Sequence, residues 1–153
     1  MTQAVGVTPA DDALDGVVWD VLGQTYKPKI YTDAVMMWHA HIPPEKFVPP
    51  HVHPTQDEWI YVLTGTLEVD TGFETGTPTS KSAGPGDLIR MPRGVAHGYA
   101  NRSGTEATCV FGVAPARKLY DLFCALDGQT DPAELVRLSA LHEVDFLPPP
   151  EDA

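Results

Sequence analysis

The chain has 153 residues and a formal net charge of -11, with 10 Lys and Arg against 21 Asp and Glu. That length suits a single domain with one core, and the charge would repel phosphates, which argues against nucleic acid and anionic membrane surfaces as partners. No stretch approaches the ~20 apolar residues of a membrane span, and Met1 to Asp15 shows no basic segment followed by an apolar run, so no secretory signal is read and a cytoplasmic location is expected.

Through Gly16 the chain carries Asp11, Asp12 and Asp15 with few apolar residues, and it reads as a mobile N-terminal arm. Val17-Val18-Trp19 begins a β-like pattern, while Gln24 to Pro28 is polar, ends in proline and suggests a loop. Ile30 to Ile42 reads as one strand. Val35, Met37, His39 and His41 fall on one face, and Met36, Trp38, Ala40 and Ile42 on the other. Both faces are fairly apolar, as in a strand buried on two sides or lying in a subunit interface. His39 and His41 form an H-x-H, but no carboxylate follows at hairpin spacing and Pro43-Pro44 closes the stretch, so they are not assigned as ligands.

His51 to Gly65 reads H-V-H-P-T-Q-D-E-W-I-Y-V-L-T-G. In an extended chain His51 and His53 point the same way and can offer two imidazoles to one ion. Pro54 to Asp57 are turn formers, which return the chain so that Glu58 can face the same point. From Glu58 the alternation puts Ile60 and Val62 on its side and Trp59, Tyr61 and Leu63 on the other. A carboxylate among aliphatic side chains needs a partner such as a metal. Gln56 and Asp57 stay open as substitutes for Glu58.

After Gly65, Leu67 and Val69 face inward along the strand Thr66 to Asp70, and Thr71 to Pro85, rich in Thr, Ser, Gly and Pro, reads as the most flexible segment. Gly86 to Asn101 reads G-D-L-I-R-M-P-R-G-V-A-H-G-Y-A-N: a strand, a Pro-Arg-Gly turn, then His97 and Tyr99 on one face of another strand. His97 can supply a third imidazole. Ala107 to Val113 is a further buried strand ended by Pro115. In the tail, Leu119, Leu122, Phe123 and Leu126 have helical spacing before Gly128, and Asp131-Pro132-Ala133-Glu134 carries an N-cap and a first-turn proline, the start of a second helix. Phe146 to Pro150 is extended. Cys109 and Cys124 are read as buried free thiols.

The two histidine stretches fit H-x-H-x4-E-x6-G and G-x5-P-x-G-x2-H-x3-N, the two motifs of the cupins, and the chain resembles that family. One signature glycine ahead of the first histidine is Glu45 here, which implies a changed loop. The resemblance implies a mainly β, single-domain jelly-roll β-barrel over residues 17–115, followed by C-terminal helices and a Pro-rich tail over 116–153. It also implies His51, His53, Glu58 and His97 as ligands of one divalent ion. Three imidazoles and a carboxylate suit Fe, Mn, Ni, Co or Cu, and the lack of thiolates argues against structural Zn.

The tail is similar to that of single-domain quercetin dioxygenase-like cupins. That likeness implies a homodimer and a dioxygenase that binds a small enol, flavonol or aromatic substrate together with dioxygen, with Glu58 as both ligand and base. Tyr99 lines the pocket and orients a substrate oxygen, or is a plain core residue. Met36, Trp38, Phe47 and Ile60 are candidate pocket walls, as are Val62, Met91 and Phe111. Arg90 and Arg93 are candidates for attracting an anionic substrate, Arg93 being more readily solvated in its turn. A metal-dependent isomerase or decarboxylase and a non-catalytic small-molecule binder are the alternatives, since one fold supports many activities.

Overall fold

Period-2 apolar patterns form eleven strands in the computed structural model, which describes residues 3–149. They are β1 (Trp19–Val21), β2 (Gln24–Tyr31), β3 (Met36–Ile42), β4 (Phe47–Val52), β5 (Asp57–Thr64) and β6 (Leu67–Thr71). β7 (Thr79–Ala83), β8 (Leu88–Met91), β9 (His97–Ala100), β10 (Ala107–Ala114) and β11 (Asp145–Phe146) follow. Two helices, α1 (Leu119–Leu126) and α2 (Pro132–Leu141), precede β11. The strands make two antiparallel sheets, β1-β2-β3-β10-β5-β8 and β11-β4-β9-β6-β7. They face each other as a jelly roll without closing into one continuous ladder. Tyr99 of the second sheet packs on Phe111 of the first with ring centroids 5.3 Å apart.

The core follows the alternation. On β5, Glu58, Ile60 and Val62 are buried, while Tyr61 and Leu63 are exposed and Trp59 is intermediate. On β3, Met36, Trp38, Ala40 and Ile42 are buried, whereas Met37, His39 and His41 on the outer face are only half-buried.

Three expectations are corrected. The single strand expected over Ile30 to Ile42 is two, because the chain turns at Thr32, whose N–H donates to Val35 O at 2.9 Å. The loop expected at 24–28 is the first half of β2, where Gln24 and Tyr26 face the core. Pro28 is accommodated because the β2–β3 register shifts between Pro28 and Ile30. The segment after Thr71 contains β7, paired with β6 around a turn at Phe73–Thr75. Of the two free thiols, Cys109 is buried and Cys124 is exposed.

Motif residues with no metal role have structural ones. Gly65 has φ +76°, and a Cβ there would sit 2.6 Å from the Glu106 carbonyl oxygen, so both conformation and space demand glycine. Asn101 donates to the Ile42 and Thr105 carbonyls at 2.9 and 2.8 Å and accepts from Ser103 N–H at 3.0 Å, stitching the loop after β9 to β3. Glu45, where the cupin motif has glycine, keeps a left-handed backbone with φ +69°. The turn there thus carries a side chain in a conformation that disfavours it.

Residues of the N-terminal arm lie along β2. Thr8 Oγ1 donates to Lys29 O at 2.9 Å, and Tyr31 N–H donates to Gln3 Oε1 at 2.9 Å. At the other end α1 buries Leu119, Leu122, Phe123 and Leu126, as its spacing predicts. Asp131 caps α2 by accepting from Ala133 N–H at 3.0 Å, and β11 returns to pair with β4, setting Phe146 opposite His51. Pro150 and the residues after it lie outside the described residues. Among those described, no helix is long and apolar enough to cross a membrane.

Candidate metal centre and cavity

His51 lies on β4, directly opposite His97 on β9, and His53 follows β4. Glu58 reaches them from β5 in the other sheet, so the cluster bridges the two layers. One ligand atom from each of the four residues lies within 4.8 Å of the others, and all four residues are buried. The turn with Arg93 and Gly94 is anchored to the site, since Gly94 N–H donates to His53 O at 3.0 Å. β9 comes close to the Pro49-Pro50 segment at Gly98, where a Cβ would lie 3.0 Å from Val48 O.

The imidazole tautomers follow from what each Nδ1 meets. His51 Nδ1 faces Pro49 O at 2.8 Å, His97 Nδ1 faces Val95 O at 3.2 Å, and His53 Nδ1 faces Gln56 Oε1 at 2.9 Å. All three partners are acceptors. Each Nδ1 therefore carries the hydrogen, and each Nε2 lone pair is left to the cluster.

The Glu58 oxygens stand 3.4 Å from His53 Nε2 and 3.3 Å from His97 Nε2, and the buried His97 Nε2 has no hydrogen-bond partner among the described residues. Three lone pairs and a carboxylate converging without a proton between them fit a cation. Burial, reinforced by the neighbouring His97 and His53, pushes His51 down to about 3. Burial alone would raise the Glu58 carboxyl, and positive charge facing it from the side of His53, His97 and His51 outweighs burial and lowers it. His51 is thus neutral and Glu58 ionised at neutral pH, the forms in which each can ligate. An ion there would be held by His51, His53, Glu58 and His97.

The open alternatives at the carboxylate resolve. Asp57 points away and accepts from Arg93 N–H and Nη2, both at 3.1 Å. Gln56 backs His53 from behind. Arg93 is thereby paired at the surface, and Arg90 is exposed.

Above the cluster is a cavity of about 50 Å³, room for a few water molecules. Trp38, Phe111 and Tyr99 line it. Met36, Ile60, Val62 and Met91 are buried core residues outside its wall. Phe47 is 56% exposed and does not reach it. The reason is a bulge: β4 and β9 shift register between Val48 and His51, so Val48 faces the cavity in place of Phe47.

Sequence reasoning missed the opposite wall. Leu119, Leu122, Phe123 and Leu126 of α1, with Leu135 and Ser139 of α2, close the cavity as a cap. Val144 and Phe146 complete it, the Phe146 ring 5.4 Å from that of His51. The cap is latched where Glu143 accepts from Thr55 Oγ1 at 2.8 Å and from Arg117 Nη2 at 2.6 Å.

Tyr26 is the other residue missed, hidden in the stretch read as a loop. Its hydroxyl lies 2.7 Å from that of Tyr99, and both contact Gln24 Oε1, at 2.9 and 2.7 Å respectively. Burial raises both tyrosines well above the usual phenol range, so both stay neutral.

Residues 38–113 match the Cupin domain family. Over 83 residues the chain is 32% identical to germin-like protein 5-1 of Oryza sativa subsp. japonica, covering 54% of this chain and 38% of that protein. It is 34% identical over 83 residues to Protein SchB of Streptomyces halstedii, covering 54% of this chain and 56% of that one. The chain thus spans about half or less of these relatives' length. Among solved structures, an RmlC-like cupin from Shewanella frigidimarina superposes with TM-score 0.64 at 19% identity, covering 78% of this chain and 99% of that one. KdgF from Halomonas sp. superposes with TM-score 0.63 at 21% identity over 75% of this chain and 99% of its own. Both likenesses speak for the fold.

Proposed function

The chain belongs to the cupin superfamily, and from that premise we propose that it is a metal-dependent oxidoreductase of dioxygenase type acting on a small enol or aromatic substrate. The observation that carries the proposal is the convergence of three Nε2 lone pairs and the Glu58 carboxylate on one point at the floor of a capped, mainly apolar cavity. When bound there, a divalent Fe, Mn, Ni, Co or Cu ion would supply Lewis acidity and redox chemistry with open positions for substrate oxygen and dioxygen.

The chain's own residues do the rest. Glu58, ionised and within 3.4 Å of two imidazoles, is placed to take the proton of a substrate hydroxyl and so generate the oxyanion. Trp38, Phe111, Phe123 and Phe146 exclude water from the reacting face. The cavity's small size weighs against a flavonol more than against a small enol, and any ring-sized substrate would need the α1–α2 cap to yield. Among the described residues no Lys or Arg lines it, which weighs against the polyhydroxylated or diacid substrates of an isomerase or decarboxylase.

The test is oxygen uptake by anaerobically reconstituted protein with 2,4-pentanedione, catechol and a flavonol. Uptake with one of the small substrates, reduced about 10²-fold or more in Glu58→Gln, is expected. Stoichiometric metal with no uptake on any of the three contradicts the oxygen-using reading.

A further inference from the structure

Away from the metal cluster, Tyr26 and Tyr99 line the cavity and share an incompletely satisfied polar cluster with Gln24, which is not itself in the wall. Gln24, Tyr26 and Tyr99 are buried, at 0%, 3% and 3% exposure. Their three mutual contacts of 2.9, 2.7 and 2.7 Å share only two hydroxyl protons, and Gln24 Nε2 has no partner among the described residues. Oxygen and nitrogen of a side-chain amide are assigned by the network around them. Exchanging them lets Gln24 donate to both phenol oxygens and lets one tyrosine donate to the other. All three contacts become hydrogen bonds, and one hydroxyl proton is left without an acceptor.

Two further polar atoms on residues that line the cavity, Trp38 Nε1 and Ser139 Oγ, also lack partners among the described residues. Buried donors without acceptors are costly unless a ligand completes them. Among the described residues no Lys or Arg lines the cavity, and Glu58 adds a negative charge.

We propose that the Tyr26–Tyr99–Gln24 cluster is a second anchoring point of the substrate site, taking a neutral hydroxyl or carbonyl oxygen of a substrate whose acidic oxygen is held at the His51, His53, Glu58 and His97 cluster. The inference rests on the metal-centred reading above and narrows it. The substrate carries one acidic oxygen function and, at its other end, an uncharged oxygen. A carboxylate at that end is rejected, because it would be buried with no cation to pair with it. Tyr26 and Tyr99 bind and orient; the acid–base step stays with Glu58.

Three six-carbon β-diketones with the same chelating head separate the two readings: hexane-2,4-dione, 6-hydroxyhexane-2,4-dione and 3,5-dioxohexanoate. Their dissociation constants are measured calorimetrically on the cobalt(II)-loaded full chain and on Tyr26→Phe and Tyr99→Phe, each checked for equal metal content. The alcohol is expected to bind about fivefold tighter than the alkyl compound, the increment of one neutral hydrogen bond, and the carboxylate weakest. That alcohol preference disappears in at least one of the two phenylalanine variants. Equal affinity for all three, or a preference unchanged in both variants, overturns this inference and leaves the metal-centred reading standing. Binding of none overturns both.

Discussion

His53 Nδ1 donates to Gln56 Oε1 at 2.9 Å, while the Gln56 amide nitrogen donates to the carbonyls of Pro115 and Ala116 at 3.0 and 2.7 Å. One buried side chain therefore fixes the orientation of a candidate ligand and ties it to the segment that leads into the α1–α2 cap. Groups that hold a ligand from behind cost about 10- to 100-fold in metal affinity when removed. Gln56→Leu is expected to weaken metal binding by that amount in a chelator competition, with the four ligands intact. An unchanged affinity would show that His53 needs no such support.

Glu143 is held down to about 2 by its hydrogen bonds from Arg117 and from Thr55. A carboxyl depressed in the folded state contributes stability that is fully present above its ordinary value of 4.5 and is lost as pH falls toward about 2. The cap latch should accordingly weaken across that window. Glu143→Gln should lower stability at pH 7 and flatten the loss between pH 5 and 3 in urea titrations. Parallel acid profiles for parent and variant would contradict the latch.

Two positive-φ positions predict opposite signs. Ala at Gly65 would combine φ +76° with a Cβ 2.6 Å from a backbone oxygen, so Gly65→Ala should destabilise by about 2 kcal/mol or more. Glu45 already bears the left-handed conformation at φ +69°. Glu45→Gly should stabilise by roughly 0.5–1 kcal/mol, the relief of strain less the entropy of a freer unfolded chain. Thermal unfolding of both variants is the check.

The clustering of His51, His53, Glu58 and His97 was legible in the sequence because two-residue periodicity decides which side chains share a face, and the turns bring those faces together. The strands β5, β6 and β10 and both helices were legible for the same reason of period. Phase errors arose where periodicity breaks. The bulge before His51 exchanged Phe47 for Val48 in the cavity wall. The turn after Thr32 has neither glycine nor proline to announce it, and polar β2 hid Tyr26. The cap's place over the cavity was not legible, because a helix's apolar stripe shows that it packs and not what it packs on.

His51, His53, Glu58 and His97 are expected to hold one divalent ion. Titrating metal-free protein with cobalt(II), calorimetrically and by its visible absorption, tests that claim most directly when done beside His97→Ala. About one ion per chain is expected for the parent, with bands of a nitrogen- and oxygen-ligated ion, and a large loss of affinity in the variant. No binding by the parent, or the same binding in both proteins, would contradict it.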